Sequence, residues 1–142
     1  MKVGQSKTDP KQLNSLALAY MGDAVIEVYV RKMLIDESGK TKPHALHAQA
    51  VDYVSAKAQC RFLHELMDEG FLMDDECNTV RRGRNAKSHS VPRNTDVQTY
   101  NFSTGFEALI GTLFLEGKQE RIDAIMGKMF EYHPVEGSGQ NE

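Results

Sequence analysis

Two acidic residues stand in this sequence where a hydrophobic core is expected. Asp23 lies within Tyr20-Met21-Gly22-Asp23-Ala24-Val25-Ile26, and Glu107 within Phe102-Ser103-Thr104-Gly105-Phe106-Glu107-Ala108-Leu109-Ile110. An ionised carboxylate among apolar neighbours is costly unless it is paired, protonated or bound to a cation. Two of them, on helices that meet across a packed interface, offer hard oxygen ligands suited to Mg²⁺ or Mn²⁺. Such an ion activates water and stabilises charge developing on phosphorus. Spacing alone leaves a plainer role open, with each acid paired to a nearby arginine or capping a neighbouring helix. Glu27 reaches the same face as Asp23, but it precedes Arg31 by four residues, so a surface ion pair is its expected role.

A second chemical signal is basic. Residues 80–94 hold five arginines or lysines and no acid, in a chain whose net charge is -3. On a helix, Arg81, Arg84 or Asn85, and Ser88 fall on one face, a surface suited to phosphates and 2′-hydroxyls. Arg81, Arg82, Arg84, Asn85, Lys87, Ser88 and Arg93 are the candidates for that contact. The alternative is that cations near the end of a helix with an acidic start simply complement its dipole. Gly83 inside the helix favours a functional reason, because glycine there costs roughly 1 kcal/mol.

The elements that must position these groups read as helices throughout, with no period-2 strand. The first spans about 13–34, with Leu13, Leu16, Tyr20, Ala24, Val28 and Lys32 along one stripe and Met21, Val25 and Tyr29 beside it. It is expected to stop before the turn sequence Asp36-Glu37-Ser38-Gly39. Pro43 can start a second run to about residue 69, broken near 51–55, where Ser55 could cap a new segment and Gly70 end it. Asp74-Asp75-Glu76 opens the next helix, residues 99–115 form a strongly apolar one closed by Gly117, and 119–133 form the last. The fold class is all-α. Met33, Met67, Met73, Met126 and Met129 read as core filler.

The chain of 142 residues, 40% hydrophobic and 26% charged, fits one soluble domain. Residues 1–11 read as a flexible arm, 12–133 as the folded domain and 134–142 as a disordered tail. No segment approaches the roughly 18 consecutive apolar residues of a membrane span, and residues 1–14 lack the apolar core of a signal peptide, so a cytoplasmic protein is expected. Cys60 and Cys77 match no zinc spacing and read as buried or half-buried thiols. His44 and His47 share a face but have no third ligand. Phosphate-loop, dinucleotide-binding and serine-nucleophile motifs are all missing.

With both acids in place, Leu18-Ala19-Tyr20-Met21-Gly22-Asp23-Ala24-Val25 resembles the signature helix of ribonuclease III. Phe106-Glu107-Ala108-Leu109-Ile110-Gly111 is similar to that family's second acidic helix, and the likeness extends over most of residues 12–133. Two positions depart from it. Ala19 and Thr104 stand where ribonuclease III carries further acids, four before the aspartate and three before the glutamate. The 142 residues also leave no room for the family's double-stranded-RNA-binding domain. This combination, with Arg81 to Lys87 (RRGRNAK) as a basic helix, resembles Mini-III, the short bacterial branch that trims precursor large-subunit (23S) ribosomal RNA.

The resemblance implies a divalent-metal-dependent endoribonuclease that cuts double-stranded RNA. Asp23 would be the essential carboxylate, holding Mg²⁺ (or Mn²⁺) and its water, with Glu107 the second ligand. Waters would complete the shell in place of acids at Ala19 and Thr104, and the Thr104 hydroxyl could orient one of them. It also implies a homodimer through the signature helix, with two sites across one groove, staggered cuts leaving 3′ overhangs, and the large ribosomal subunit as a further partner. Relying on its own basic stretch, the chain is expected to bind RNA weakly and in a salt-sensitive way. The rival readings are a non-catalytic, ribosome-associated RNA-binding module of the same fold, or a protein gripping an acidic partner with residues 81–87.

Overall fold

In the computed structural model, which describes residues 1–86 and 91–137, the elements are six α-helices and a short 3-10 turn at Pro10–Gln12. The helices are α1 (Ser15–Glu37), α2 (Pro43–Val54), α3 (Ala56–Glu69), α4 (Asp74–Asn85), α5 (Val97–Leu115) and α6 (Gln119–Tyr132). The all-α class read from the sequence is the observed one. No helix among the described residues is long and apolar enough to cross a membrane.

Local chemistry sets most of the boundaries. Asn14, Ser55 and Asp96 cap α1, α3 and α5 by accepting from the backbone N–H three residues on, at 2.9, 3.2 and 2.9 Å. Pro43 occupies the first turn of α2, where its missing N–H costs nothing. Gly70 closes α3 with φ 71°, a left-handed conformation that glycine adopts without penalty. Helices α1 and α5 start at Ser15 and Val97 where about 13 and 99 are expected, and the largest difference is at the end of α1. Helix α1 continues through Asp36 to Glu37 instead of stopping before Asp36. Asp36 is held in the helix by Lys32, four residues earlier, at 2.5 Å, and the left-handed turn comes at Gly39.

Helix α5 is the axis of the molecule. Nine of its residues, including Phe106, Leu109 and Ile110, are buried, and α1, α3, α4 and α6 pack around it. The core joins Ile26, Val30 and Leu34 of α1 to Phe62, Leu63 and Leu66 of α3 and to Ile122, Ile125, Met126 and Met129 of α6. Phe62 meets Phe106 edge-on with ring centroids 5.4 Å apart. Met126 and Met129 fill the core as expected, but Met67 and Met73 are exposed, one at the rim of α3 and the other at the cap of α4.

Two pairs of glycines bring helices into backbone contact. A Cβ on Gly22 would lie 1.8 Å from the Glu107 carbonyl oxygen, and one on Gly111 would lie 1.9 Å from that of Leu18. On the other flank of α5, a Cβ on Gly83 would come within 2.8 Å of the Gly105 Cα, and one on Gly105 within 2.6 Å of the Val80 oxygen. Gly83, read from the sequence as favouring a functional role, therefore has a packing reason: α4 crosses α5 there with no space for a side chain.

Candidate active site

The Gly22–Gly111 crossing decides where the acids go. With α1 and α5 in backbone contact at Gly22 and Glu107, the next residue of α1, Asp23, is brought against the Glu107 side chain, close enough for the two carboxyl groups to act on each other. Burial first, and then the bond to and charge of Asp23, push the Glu107 carboxyl up to about 8, while the Gln59 amide acts to lower it. Two carboxyl groups this close do not both ionise readily, so at neutral pH the pair retains a proton.

Their surroundings differ from the sequence expectation in one respect. Glu107 is half-buried, but Asp23 is exposed on the outer side of α1. Its apolar neighbours Tyr20 and Val28 are exposed too, at 85% and 64%, so apolar flanks did not mean a core position. The open alternative, in which each acid pairs with an arginine, is not what forms. Among the described residues neither Asp23 nor Glu107 makes a salt bridge, whereas Glu27 pairs with Arg31 at 3.0 Å as expected.

The two positions that lack acids are packed shut. Ala19 is 7% exposed, in a small cluster with Leu18 and Ala108. Thr104 is 5% exposed and its hydroxyl donates to the Tyr100 carbonyl at 3.0 Å, leaving only its lone pairs for another donor. No group of three or more His, Cys, Asp or Glu side chains able to hold a metal occurs among the described residues. The oxygen set is two carboxylates, which fits a hard ion that retains most of its waters.

One residue of this site was not singled out from sequence. Gln59 of α3 is 1% exposed, and its Nε2 donates to the Val54 carbonyl at 3.1 Å. Its amide lies near enough to Glu107 to act on that carboxyl, and its Oε1 is buried without a donor among the described residues. The available signal was periodicity: Gln59, Phe62, Leu63 and Leu66 form the buried stripe of α3, and the first of them is polar.

On α4, Arg81, Arg84 and Asn85 keep the i, i+3, i+4 spacing of one helix face, while Arg82 lies to one side of it. Arg81 is exposed and donates to Asn78 Oδ1 at 2.9 Å. Arg82 turns toward Thr79 and lines a cleft with Lys11, Thr112 and Glu116. The Arg84 guanidinium sits over the Phe102 ring, 5.4 Å from its centroid, on the side of α5 facing α3, where His64 meets the same ring at 4.6 Å. Asn85 and Arg93 are exposed, and Lys87 and Ser88 lie outside the described residues.

Residues 16–118, which span the acid-bearing stretches of α1 and α5, match the family model described as the ribonuclease III domain. The chain belongs to the ribonuclease III family. Among its relatives it is 49% identical to a Mini-ribonuclease 3 of Staphylococcus aureus over 119 residues, covering 84% of this chain and 88% of the relative. It is 39% identical to a Mini-ribonuclease 3 of Clostridium tetani over 137 residues, covering 96% and 88%. Membership therefore extends to this short branch. A protein of Fusobacterium nucleatum, solved by X-ray crystallography, superposes with a TM-score of 0.76 at 26% identity, covering 89% of this chain and 98% of that one. As a ribonuclease III domain of the Mini-ribonuclease 3 type, the chain is an endoribonuclease, a phosphodiester hydrolase acting on RNA.

Proposed function

We propose that this endoribonuclease cuts double-stranded RNA with a divalent cation, Mg²⁺ or Mn²⁺, held by Asp23 and Glu107. The observation that carries the reading is the apposition of these two carboxyl groups with no cationic side chain paired to either among the described residues. Such a pair is electrostatically unsatisfied as two anions, and a hard divalent ion is the partner its chemistry fits. The ion, when bound, supplies an activated water and positive charge against the anion developing on phosphorus.

The chain's own residues do the rest. Asp23, exposed, faces the substrate side, while Glu107, half-buried, is the anchored ligand. To hold the cation, Glu107 would have to give up its retained proton. Thr104 adds no charge, since its hydroxyl is committed to Tyr100. Arg81, Arg82, Arg84, Asn85, Lys87, Ser88 and Arg93 neutralise phosphates and read the shape of the duplex, and binding weakens as salt rises.

The enzyme works as a homodimer closed through α1, with residues 12–133 as the catalytic domain. Leu16, Tyr20, Val28 and Ile35 of α1 are exposed apolar side chains at 38, 85, 64 and 63%, a long uncovered face of the kind that marks a contact surface. Two copies meeting there place an Asp23 near each edge of the interface, one for each strand of a duplex, giving staggered cuts with 3′ overhangs. The substrate in the cytoplasm is the precursor of the large-subunit (23S) ribosomal RNA, presented on or near the large subunit. Support for this reading comes from likeness to the Mini-ribonuclease 3 proteins.

The substrate class is tested by incubating the full chain with a long RNA duplex, and with each of its single strands, in Mg²⁺ with and without chelator. The duplex is expected to be cut and both strands spared, with activity lost to the chelator and falling between low and moderate salt. Equal cutting of single strands would overturn the substrate assignment.

A further inference from the structure

Gln59 is a buried polar side chain beside the acid pair that the catalytic reading leaves without a part. It sits on the apolar stripe of α3, where leucine-like residues follow at 62, 63 and 66, and a carboxamide in that place is costly unless its polar atoms are used. Half of it is used structurally. Val54 offers only a carbonyl, so the amide group must turn its nitrogen there, which it does at 3.1 Å. That bond fixes which end of the carboxamide is which. The same amide lies near enough to Glu107 to act on its carboxyl, while Oε1 is buried with no donor among the described residues. An unpaired buried acceptor costs about 1–3 kcal/mol, so once the acid pair has lost its proton a donor from outside the chain, such as water, is expected next to it.

Placement explains the arrangement further. Helices α2 and α3 meet at Val54 and Ser55, and Ser55 caps α3. Gln59 therefore ties the α2–α3 corner to the α5 carboxylate through one side chain. Groups that hold a ligating carboxylate from behind set its orientation, and their loss typically lowers metal affinity by 10–100-fold.

We propose that Gln59 is a positioning residue of the acid pair. Its amide nitrogen orients the Glu107 carboxylate for a divalent cation, and its amide oxygen takes a hydrogen bond from the hydration water of that cation. This rests on the reading of Asp23 and Glu107 as cation ligands. It also assigns Gln59 part of the outer shell that Ala19 and Thr104 do not provide.

The test is Mn²⁺ binding to the full-length protein without RNA, followed by calorimetry and by the electron paramagnetic resonance of free Mn²⁺. Gln59→Met keeps the length and apolar packing but removes donor and acceptor. Its Kd for Mn²⁺ is expected to rise about tenfold, and its lost RNA cleavage to return as Mn²⁺ is raised about tenfold. A Met variant with a lower Tm but unchanged Kd, and no rescue by Mn²⁺, would make Gln59 only a tie between helices and overturn the proposal. Gln59→Glu carries the test if the Met variant does not fold. A carboxylate beside the cation should tighten Mn²⁺ binding several-fold, and an unchanged Kd would overturn the proposal. Asp23→Asn separates the two layers. If it binds Mn²⁺ as the wild type does, the cation reading itself fails and the Gln59 proposal falls with it. If it loses binding while Gln59→Met does not, only the Gln59 proposal fails.

Discussion

Glu107 is where the electrostatics of this molecule become measurable without substrate. Its carboxyl, held up to about 8 by burial and by Asp23, titrates near 4.5 when the chain is unfolded. Between these values the unfolded state has released a proton that the folded state retains. Stability of the metal-free protein therefore falls as pH rises from about 4.5 to 8 and levels off above. A thermal scan series in chelator across that window should show Tm declining with pH, and Glu107→Gln should remove this component of the slope. A divalent cation should oppose the decline, raising Tm more at pH 8 than at pH 6. A wild-type slope that Glu107→Gln leaves unchanged would mean that the acid pair is not coupled as described.

At the scale of elements, the glycine crossings matter more than helix propensity. The α1–α5 contact at Gly22 and Gly111 leaves less than 2 Å for a Cβ, against backbone atoms that cannot rotate away. Gly22→Ala should cost about 3 kcal/mol or more, the upper end of overpacking costs, lower Tm by roughly 10 °C, and separate Asp23 from Glu107. Denaturant unfolding of that variant, beside Gly127→Ala, checks this, since a Cβ at Gly127 meets nothing within 4 Å. Equal stability of the two variants would contradict the close approach.

The helices themselves were largely legible in the sequence, because Pro43, Ser55 and Gly70 mark the ends of α2 and α3, whereas the caps Asn14 and Asp96 set the starts of α1 and α5 two residues from where apolar periodicity places them. Asp23 and Glu107 were legible as acids out of place. Less visible was the side on which each residue lies. Helix α1 is apolar nearly all round, so no polar face marks its outside, and the stripe Leu16, Tyr20 and Val28 faces outward while Leu18, Ile26 and Val30 face the core. The packing role of Gly83 and the part played by Gln59 depend on what α5 brings against them, which neither local pattern contains.

For the whole molecule, the uncovered face of α1 makes the assembly a direct prediction. Sedimentation equilibrium should give twice the 15.9 kDa chain mass. Tyr20→Glu combined with Val28→Glu should yield a folded monomer, because charges on that face would be buried unpaired in the dimer. A dimer that persists in the double variant would place the interface elsewhere. The arginines of α4 are a local excess of positive charge in a chain whose overall charge is -3.

The most direct test of the central claim is cleavage of a long RNA duplex in Mg²⁺ by three proteins side by side: the wild type, Asp23→Asn and Glu107→Gln. The account predicts cutting by the wild type that a chelator abolishes, none detectable from Asp23→Asn, and a deep loss in Glu107→Gln, with all three folded by circular dichroism. Wild-type rates from Asp23→Asn would contradict it and place the chemistry at another site.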